Sequence, residues 1–461
     1  METRSLKFVA ESCGAEIMRG EADVTVKNVC TDSRQAKAGD LFFAFKGERF
    51  DGHDFLSEVA AKEVAAVVIE QKKVSSQLPN CAVLVVEDAR IALGKLAATY
   101  RRQFDLPMIC VGGSNGKTTT KELLASVLRQ KFSTLASEAS FNNDIGVPLT
   151  LLRLEKSHQV AVLEAGTNHP GELAPLIKMI QPKFGVLTSI GREHLEFFGD
   201  VAGVAQEEGW LAELLPADGK LFVNGDNEWT EKIVARTKAK VVRVGFDEKN
   251  DWHAKKIRLD KNGVTFRAIA LKEDFCGEYR INLLGRHQVT NALFAIAVGA
   301  EFGLSRDEIC DGLVACQPPK MRLQFWEANG IRVLDDAYNA NTDSTIAALE
   351  TLCDLPLQGR RVAVLGDMEE LGAHSESAHA EIARRTAELK IGQLFVVGKM
   401  AAATAKAARD AGLTRVIEFE NVEAAMKAIK NFLKTGDVVL LKASRASRLE
   451  RIAETLKLEK T

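Results

Sequence analysis

The sequence predicts an α/β protein built as three domains. Three observations carry that expectation. The chain has 461 residues, which at roughly 150 residues per domain makes about three cores. From Met108 onward, short apolar runs alternate with helical stretches, the pattern of a mostly parallel sheet covered by helices. The alternation restarts after Gln317-Pro-Pro-Lys320, so a second α/β unit follows the first.

The first 106 or so residues mix short strands and helices. Asp40-Leu-Phe-Phe-Ala-Phe45 reads as a strand after the turn Ala38-Gly39-Asp40, and Val64–Glu70 and Ala82–Glu87 read as two more. Phe104-Asp-Leu-Pro107 marks a boundary. Beyond it, Met108–Gly112, Val160–Glu164, Gly185–Ile190 and Lys220–Asn224 are buried strands, and Lys117–Gln130 has helical spacing. Over 254–283 the pattern changes to alternation, with Asn262-Gly263 as a hairpin turn between Ile257-Arg-Leu259 and Val264-Thr-Phe266. In the last region Gly330–Asp335, Arg361–Gly366, Leu394–Gly398 and Asp437–Lys442 are strands separated by Ala-rich helices. The expected domains are therefore 1–106, 107–318 and 319–461.

Composition removes several function classes. Hydrophobic residues make up 46% and charged residues 27%, so the chain is globular rather than disordered. Lys plus Arg is 61 against 63 for Asp plus Glu, a net charge of −2, which gives no global attraction to nucleic acid or anionic membrane. Aromatic content is 6%, against a base-stacking binder. No apolar run is long enough to span a bilayer, and METRSLKFVAESCG lacks the apolar region of a signal peptide, so a cytoplasmic protein without membrane insertion is expected. None of the eight Cys forms a CxxC pair, and they read as small buried hydrophobes. A monomer is expected.

The sharpest local signal is Val111-Gly-Gly-Ser-Asn-Gly-Lys-Thr-Thr-Thr120, between an apolar strand and an amphipathic helix. Glycines let backbone N–H groups turn toward phosphate oxygens. The helix N-terminus adds partial positive charge, Lys117 a full one, and the Thr118 hydroxyl can ligate Mg²⁺. A strict Walker A pattern needs Gly five places before Gly116, where Val111 stands. A phosphate loop alone establishes nucleotide binding and leaves the reaction open.

Further motifs narrow it. In order they are Gly113-Ser-Asn-Gly-Lys-Thr-Thr119, Ser140-Phe-Asn-Asn-Asp-Ile-Gly-Val-Pro-Leu-Thr-Leu-Leu152, Glu164-Ala-Gly-Thr-Asn-His-Pro-Gly-Glu172 and Gly191-Arg-Glu-His-Leu-Glu196. Gly285-Arg-His-Gln-Val-Thr-Asn-Ala292, Met321-Arg-Leu323, Asp335-Asp-Ala-Tyr-Asn-Ala-Asn341 and Leu365-Gly-Asp-Met-Glu-Glu-Leu-Gly372 complete the series. Together they resemble the Mur ligases, ATP-dependent amide-forming enzymes of peptidoglycan precursor synthesis. The versions present are most similar to those of the branch that adds D-alanyl-D-alanine. The resemblance implies an N-terminal UDP-binding domain, a central ATPase domain and a C-terminal Rossmann-like domain. It also implies ATP and Mg²⁺ as cofactors, and UDP-N-acetylmuramoyl-tripeptide and D-alanyl-D-alanine as substrates joined through an acyl phosphate.

Residue roles follow from the resemblance. Gly113, Ser114, Asn115, Gly116, Lys117, Thr118 and Thr119 would surround the ATP phosphates, with Lys117 bridging the β- and γ-phosphates. Thr118, Glu164 and His194 would hold Mg²⁺. Asn291 would bond adenine, and Arg322 and Asp336 would reach nucleotide phosphate and ribose. Lys117, His194, Arg322 and Asp336 form the expected catalytic set. Ser33 and Arg34, in Thr31-Asp-Ser-Arg34, resemble UDP-sugar contacts, as does Gly47-Glu-Arg-Phe-Asp-Gly-His53. Asn142 and Asn143 would line the muramoyl-peptide channel. Lys442-Ala-Ser-Arg445 departs from the usual Lys-Gly-Ser-Arg, so Ala443 needs a backbone angle that tolerates a Cβ.

One departure is larger. Most of the family carries, after the histidine motif, a lysine that is carbamylated and helps hold the second Mg²⁺. The stretch here is Ala202-Gly-Val-Ala-Gln-Glu-Glu-Gly-Trp210, with Glu at position 208. Glu208 is expected to supply the charge directly, with Glu207 next in line if the register slips by one; the alternative is a solvated acidic helix face. Other readings are another ligase of the superfamily, such as the third-residue-adding enzyme or a folylpolyglutamate synthetase, and a non-catalytic binder of nucleotide and UDP-muramoyl peptide.

Overall fold

Alternating apolar residues decide the architecture of the C-terminal sheet. In the strand Arg361–Gly366, Val362 and Val364 enter one core together with Val439 and Leu441, while Ala363 and Leu365 enter another with Leu394 and Leu440. Both faces are thus buried, which a central parallel strand requires. The strand order is Gln324–Ala328, Ile331–Asp336, Val438–Lys442, Arg361–Gly366, Gln393–Val397, Val416–Phe419. Only the first pair is antiparallel. This is the Rossmann-like unit expected at the C-terminus.

The computed structural model describes residues 1–47, 50–74, 79–356 and 358–457. The chain packs as two units. One comprises Met1–Cys110, Phe132–Thr167 and Glu172–Phe184; the other Val111–Lys131, Asn168–Gly171 and Gly185–Thr461. The middle region of the sequence therefore contributes to both.

In the first unit a five-stranded sheet runs Glu16–Arg19, Ala82–Val86, Ala66–Glu70, Leu41–Phe43, Val29–Cys30, parallel except for the first pair. The strands expected around residues 41, 66 and 82 are all present. The helix Ala89–Arg101 starts at Asp88, whose carboxylate accepts from the N–H groups of Arg90 and Ile91. It buries Ala89, Ala92, Leu93, Leu96, Ala97 and Tyr100, one face at helical spacing. Tyr100 donates to the Leu154 carbonyl at 2.7 Å. The strands Thr134–Ala136 and Val160–Glu164 pair in parallel.

In the second unit the strands after Gly185 follow in the order Gly277–Ile281, Gly263–Ala270, Trp252–Asp260, Lys240–Gly245, Lys220–Asn224. The expected hairpin is present, but its turn lies one residue earlier than Asn262-Gly263: Asp260 pairs with Gly263 and Leu259 with Val264, so Lys261 and Asn262 form the loop and Gly263 begins the second strand. The helix Gln288–Glu301 is apolar on nearly every side and packs on Lys117–Leu128, the helix that follows the phosphate loop. Gly312 permits further close approach, because a Cβ there would lie 2.5 Å from the Val127 Cα. No helix among the described residues is long and apolar enough to cross a membrane.

Candidate active site

The loop between Met108–Gly112 and Lys117–Leu128 turns twice through left-handed backbone, at Gly113 (φ 109°) and Gly116 (φ 91°). Neither position has room for a side chain. A Cβ on Gly113 would lie 2.6 Å from Thr188 Oγ1, and one on Gly116 2.6 Å from Asn291 Oδ1. The segment 188–191 braces the loop: the Ser114 N–H donates to the Ser189 carbonyl at 2.8 Å, and the Asn115 N–H to Ser189 Oγ at 3.1 Å. Gly191 N–H donates back to Ser114 Oγ at 2.9 Å. No side chain caps the helix at Gly116, the arrangement that lets first-turn N–H groups meet phosphate oxygens.

Lys117 folds back over the loop. Its ammonium donates to the Gly113 carbonyl, to the Ser114 carbonyl at 3.3 Å and to Glu193 Oε2 at 3.3 Å. Nearby polar atoms are buried without hydrogen-bond partners: Thr118 Oγ1, Glu193 Oε1 and Glu208 Oε1. Such orphaned oxygens cost free energy unless a ligand or cation meets them. Hard oxygen donors are what Mg²⁺ takes, and Mg²⁺ commonly completes its shell with phosphate and water. Among the described residues no three His, Cys, Asp or Glu side chains gather as a metal site, so these oxygens fit a nucleotide whose phosphates bring most of a cation's ligands. Thr119 is buried beside Thr118.

Glu208 ends the helix Val201–Glu208 and is fully buried. Its Oε2 accepts from the Gly113 N–H at 2.7 Å. Burial pushes its carboxyl up to about 8, with the Lys117 ammonium opposing and Glu193 reinforcing. Glu207 is also buried and accepts from the Gly171 N–H at 3.0 Å. The reading of this stretch as a solvated acidic face is thus corrected: both carboxylates point inward, Glu208 onto the phosphate loop.

His194 sits in left-handed backbone (φ 48°) at the start of the short helix Leu195–Phe198. Its Nδ1 meets Glu370 Oε2 at 2.5 Å, and this contact holds the Glu370 carboxyl below its ordinary range. Two residues earlier, Arg192 donates three hydrogen bonds to Asp343 and two to Glu381. Asn341 Nδ2 donates to Asn115 Oδ1 at 3.0 Å.

Asn291 lies directly under the loop. Its Oδ1 accepts from Thr120 Oγ1 at 3.1 Å and its Nδ2 donates to Gln288 at 2.8 Å. An adenine contact by this amide requires exchange of one of those bonds. Arg322 stacks its guanidinium 4.2 Å from the centre of the Tyr338 ring. Asp336 is engaged on both oxygens, by Lys442 Nζ at 2.6 Å and by the Leu323 N–H at 3.0 Å. Ala443 is accommodated because Gly366 faces it: a Cβ on Gly366 would stand 2.6 Å from that of Ala443.

The remaining expected residues lie in the first unit. Glu164 ends its strand with 1% exposure. Its Oε1 accepts from Asn142 Nδ2 at 2.9 Å, and its Oε2 is buried without a partner. Asn142 therefore orients Glu164. Asn143 caps the following turn, accepting from the N–H groups of Ile145 and Gly146. Ser33 and Arg34 form a single turn begun by Asp32. Arg34 is exposed and ion-paired with Asp32 at 2.7 Å, and its hydrogen bonds hold the Asp32 carboxyl down to about 2. Lys62 donates to the Ser33 carbonyl at 2.7 Å. Glu48 and Arg49 of the Gly47–His53 motif lie outside the described residues.

Sequence reasoning assigned no role to Glu193, Arg192 or Glu370. All three stand inside quoted motifs, so their partners, rather than their presence, were missing.

The phosphate loop on an α/β framework defines the class: a nucleotide-binding α/β protein. Comparison with known families makes it specific. Residues 25–101 match the Mur ligase family catalytic domain, 111–299 the Mur ligase middle domain, and 321–445 the Mur ligase glutamate ligase domain. The chain belongs to the Mur ligase family. It is 35% identical over 452 residues, 96% of each chain, to the UDP-N-acetylmuramoyl-tripeptide–D-alanyl-D-alanine ligase of Escherichia coli strain K12. A crystal structure of MurF from Acinetobacter baumannii superposes with TM-score 0.90 at 32% identity, covering 99% of both chains. MurF from Thermotoga maritima in complex with ADP gives 0.80 at 28% identity, covering 93% of this chain and 97% of that one.

Proposed function

We propose that the chain joins D-alanyl-D-alanine to UDP-N-acetylmuramoyl-tripeptide at the expense of ATP. The observation that carries the reading is the phosphate loop, with Lys117 and partnerless buried oxygens at its mouth, in a chain that matches UDP-N-acetylmuramoyl-tripeptide–D-alanyl-D-alanine ligases along almost its whole length. ATP, when bound with Mg²⁺, supplies the γ-phosphoryl that makes a carboxylate oxygen a leaving group. The tripeptide carboxylate takes that phosphoryl group and ADP departs; the dipeptide amine then attacks the carbonyl carbon of the acyl phosphate, loses a proton and expels phosphate as the amide forms.

Each residue has a task in that scheme. Lys117 and the uncapped helix start neutralise phosphate charge, which preorganised donors do without reorganising during reaction. Thr118, Glu164 and His194 are the proposed metal ligands, and Asn142 orients Glu164. Glu208 is proposed to supply the anion that a carbamylated lysine would otherwise provide, and its bond to Gly113 also fixes the loop. Arg322 and Asp336 are proposed to face the nucleotide, Asn143 the peptide, and Ser33 and Arg34 the UDP end. The three-domain division at 1–106, 107–318 and 319–461 is part of the same proposal.

Phosphate release and product mass with UDP-muramoyl peptides and candidate amines test the reading. Release requiring both UDP-muramoyl-tripeptide and D-alanyl-D-alanine is expected. Release with a dipeptide precursor and a free amino acid would assign the third-residue step instead, and no release with any amine would indicate a binder.

A further inference from the structure

Glu370 lies in the loop after the strand Arg361–Gly366, within the C-terminal matched segment, whereas His194 belongs to the middle one. The two are 176 residues apart in sequence and 2.5 Å apart in space. Glu370 adopts left-handed backbone (φ 60°), an unfavourable conformation for a residue with a side chain, which persists where surroundings impose it. The surroundings are visible. Met368 and Leu371 on either side are buried in the C-terminal core, and the Glu370 carbonyl accepts from the Glu196 N–H at 3.0 Å. His374 Nε2 meets the Gly199 carbonyl at 2.9 Å. Arg192 grips Asp343 and Glu381 on the same side. The C-terminal segment therefore holds the 192–199 loop at several points, and among the described residues only Glu370 hydrogen-bonds the imidazole.

A carboxylate at Nδ1 keeps the proton on that nitrogen and leaves the Nε2 lone pair for a cation. Nε2 of His194 has no hydrogen-bond partner among the described residues. We propose that Glu370 is a positioning residue that fixes His194 in its metal-accepting tautomer, so that metal affinity depends on contact between the middle and C-terminal segments. This rests on the reading of His194 as a metal ligand.

The test uses the full chain with a non-hydrolysable ATP analogue and Mn²⁺ binding followed by electron paramagnetic resonance. Glu370→Ala is expected to weaken Mn²⁺ binding about 10- to 100-fold, while Glu370→Gln, which keeps an acceptor oxygen, recovers part of the loss. Affinity for the analogue without metal stays unchanged in both. Arg192→Ala, which loosens the grip without touching the imidazole, gives a smaller loss. A second readout needs no metal: long-range ¹⁵N correlation of His194 shows the Nδ1–H form in the native chain and a mixture in Glu370→Ala. Native Mn²⁺ affinity or an unchanged tautomer in Glu370→Ala overturns the proposal. Native affinity in His194→Ala overturns the metal role of His194 itself, a failure recognisable because it precedes any effect at Glu370.

Discussion

Lys117 opens a helix and Lys442 ends a strand, and both meet a buried carboxylate. Around Lys442 the pairing is tight: its ammonium reaches Asp336 at 2.6 Å and the Asn339 carbonyl at 2.8 Å, and the second Asp336 oxygen takes the Leu323 N–H. Around Lys117 the pairing is looser, 3.3 Å to Glu193, and oxygens of Thr118, Glu193 and Glu208 are buried without partners. Similar side chains thus serve opposite ends. A fully satisfied pair holds a fold in place, whereas buried oxygens without partners, such as those of Thr118, Glu193 and Glu208, are poised for something that arrives later.

That contrast can be broken by substitution. Lys442→Met leaves Asp336 buried and unpaired, so it should cost about 3–5 kcal/mol of stability in urea unfolding; adding Asp336→Asn should recover much of it. Native stability in the single variant would show that Lys442 is not a scaffold group. Lys117→Ala should lower ligation roughly 10²–10³-fold and leave the urea midpoint nearly unchanged. A large loss of stability would erase the distinction between the two lysines.

A finer probe is His287, whose imidazole burial pushes down to about 4, with the Lys442 charge adding to the effect. Its folded value lies below the ordinary 6.5, so its contribution is full above that pH and is lost as pH falls toward 4. His287→Gln should flatten the pH dependence of unfolding in that window; an unchanged slope would exclude His287 as its source. The smallest effect concerns Glu208. If its carboxyl stands where a carbamate would form, no CO₂ adduct is needed, and ligation should be the same in bicarbonate-free and bicarbonate-supplemented buffer. Strong stimulation by bicarbonate would show that Glu208 does not fill that role.

Most of the parallel strands were legible because four to six apolar residues in a row have few other uses. Gly185–Ile190 was overextended: the strand stops at Leu187, and Thr188 turns to donate to the Gly112 carbonyl at 3.0 Å. Thr134–Ala136 is too short to signal itself. The loop glycines and Lys117 were legible because local backbone geometry demands them. Glu370 with His194, or Arg192 with Asp343, could not be read, since pairs 176 and 151 residues apart leave no local pattern. Glu208 was singled out only by resemblance, and its bond to Gly113 follows from the packing of a helix that periodicity places without orienting.

Asn341 carries one further consequence. Its Oδ1 accepts from the Ser344 N–H at 2.8 Å, capping the helix Thr342–Asp354, and its Nδ2 donates to Asn115 in the phosphate loop. The amide is committed at both ends, so a flip would lose two bonds at once. Deamidation during storage would act unevenly on such a group. The resulting Asp would cap the helix as well as before, but would offer an acceptor where Asn115 meets a donor. Aged protein would then keep its melting temperature while its nucleotide loop lost a strut, a form of damage that thermal quality control would pass.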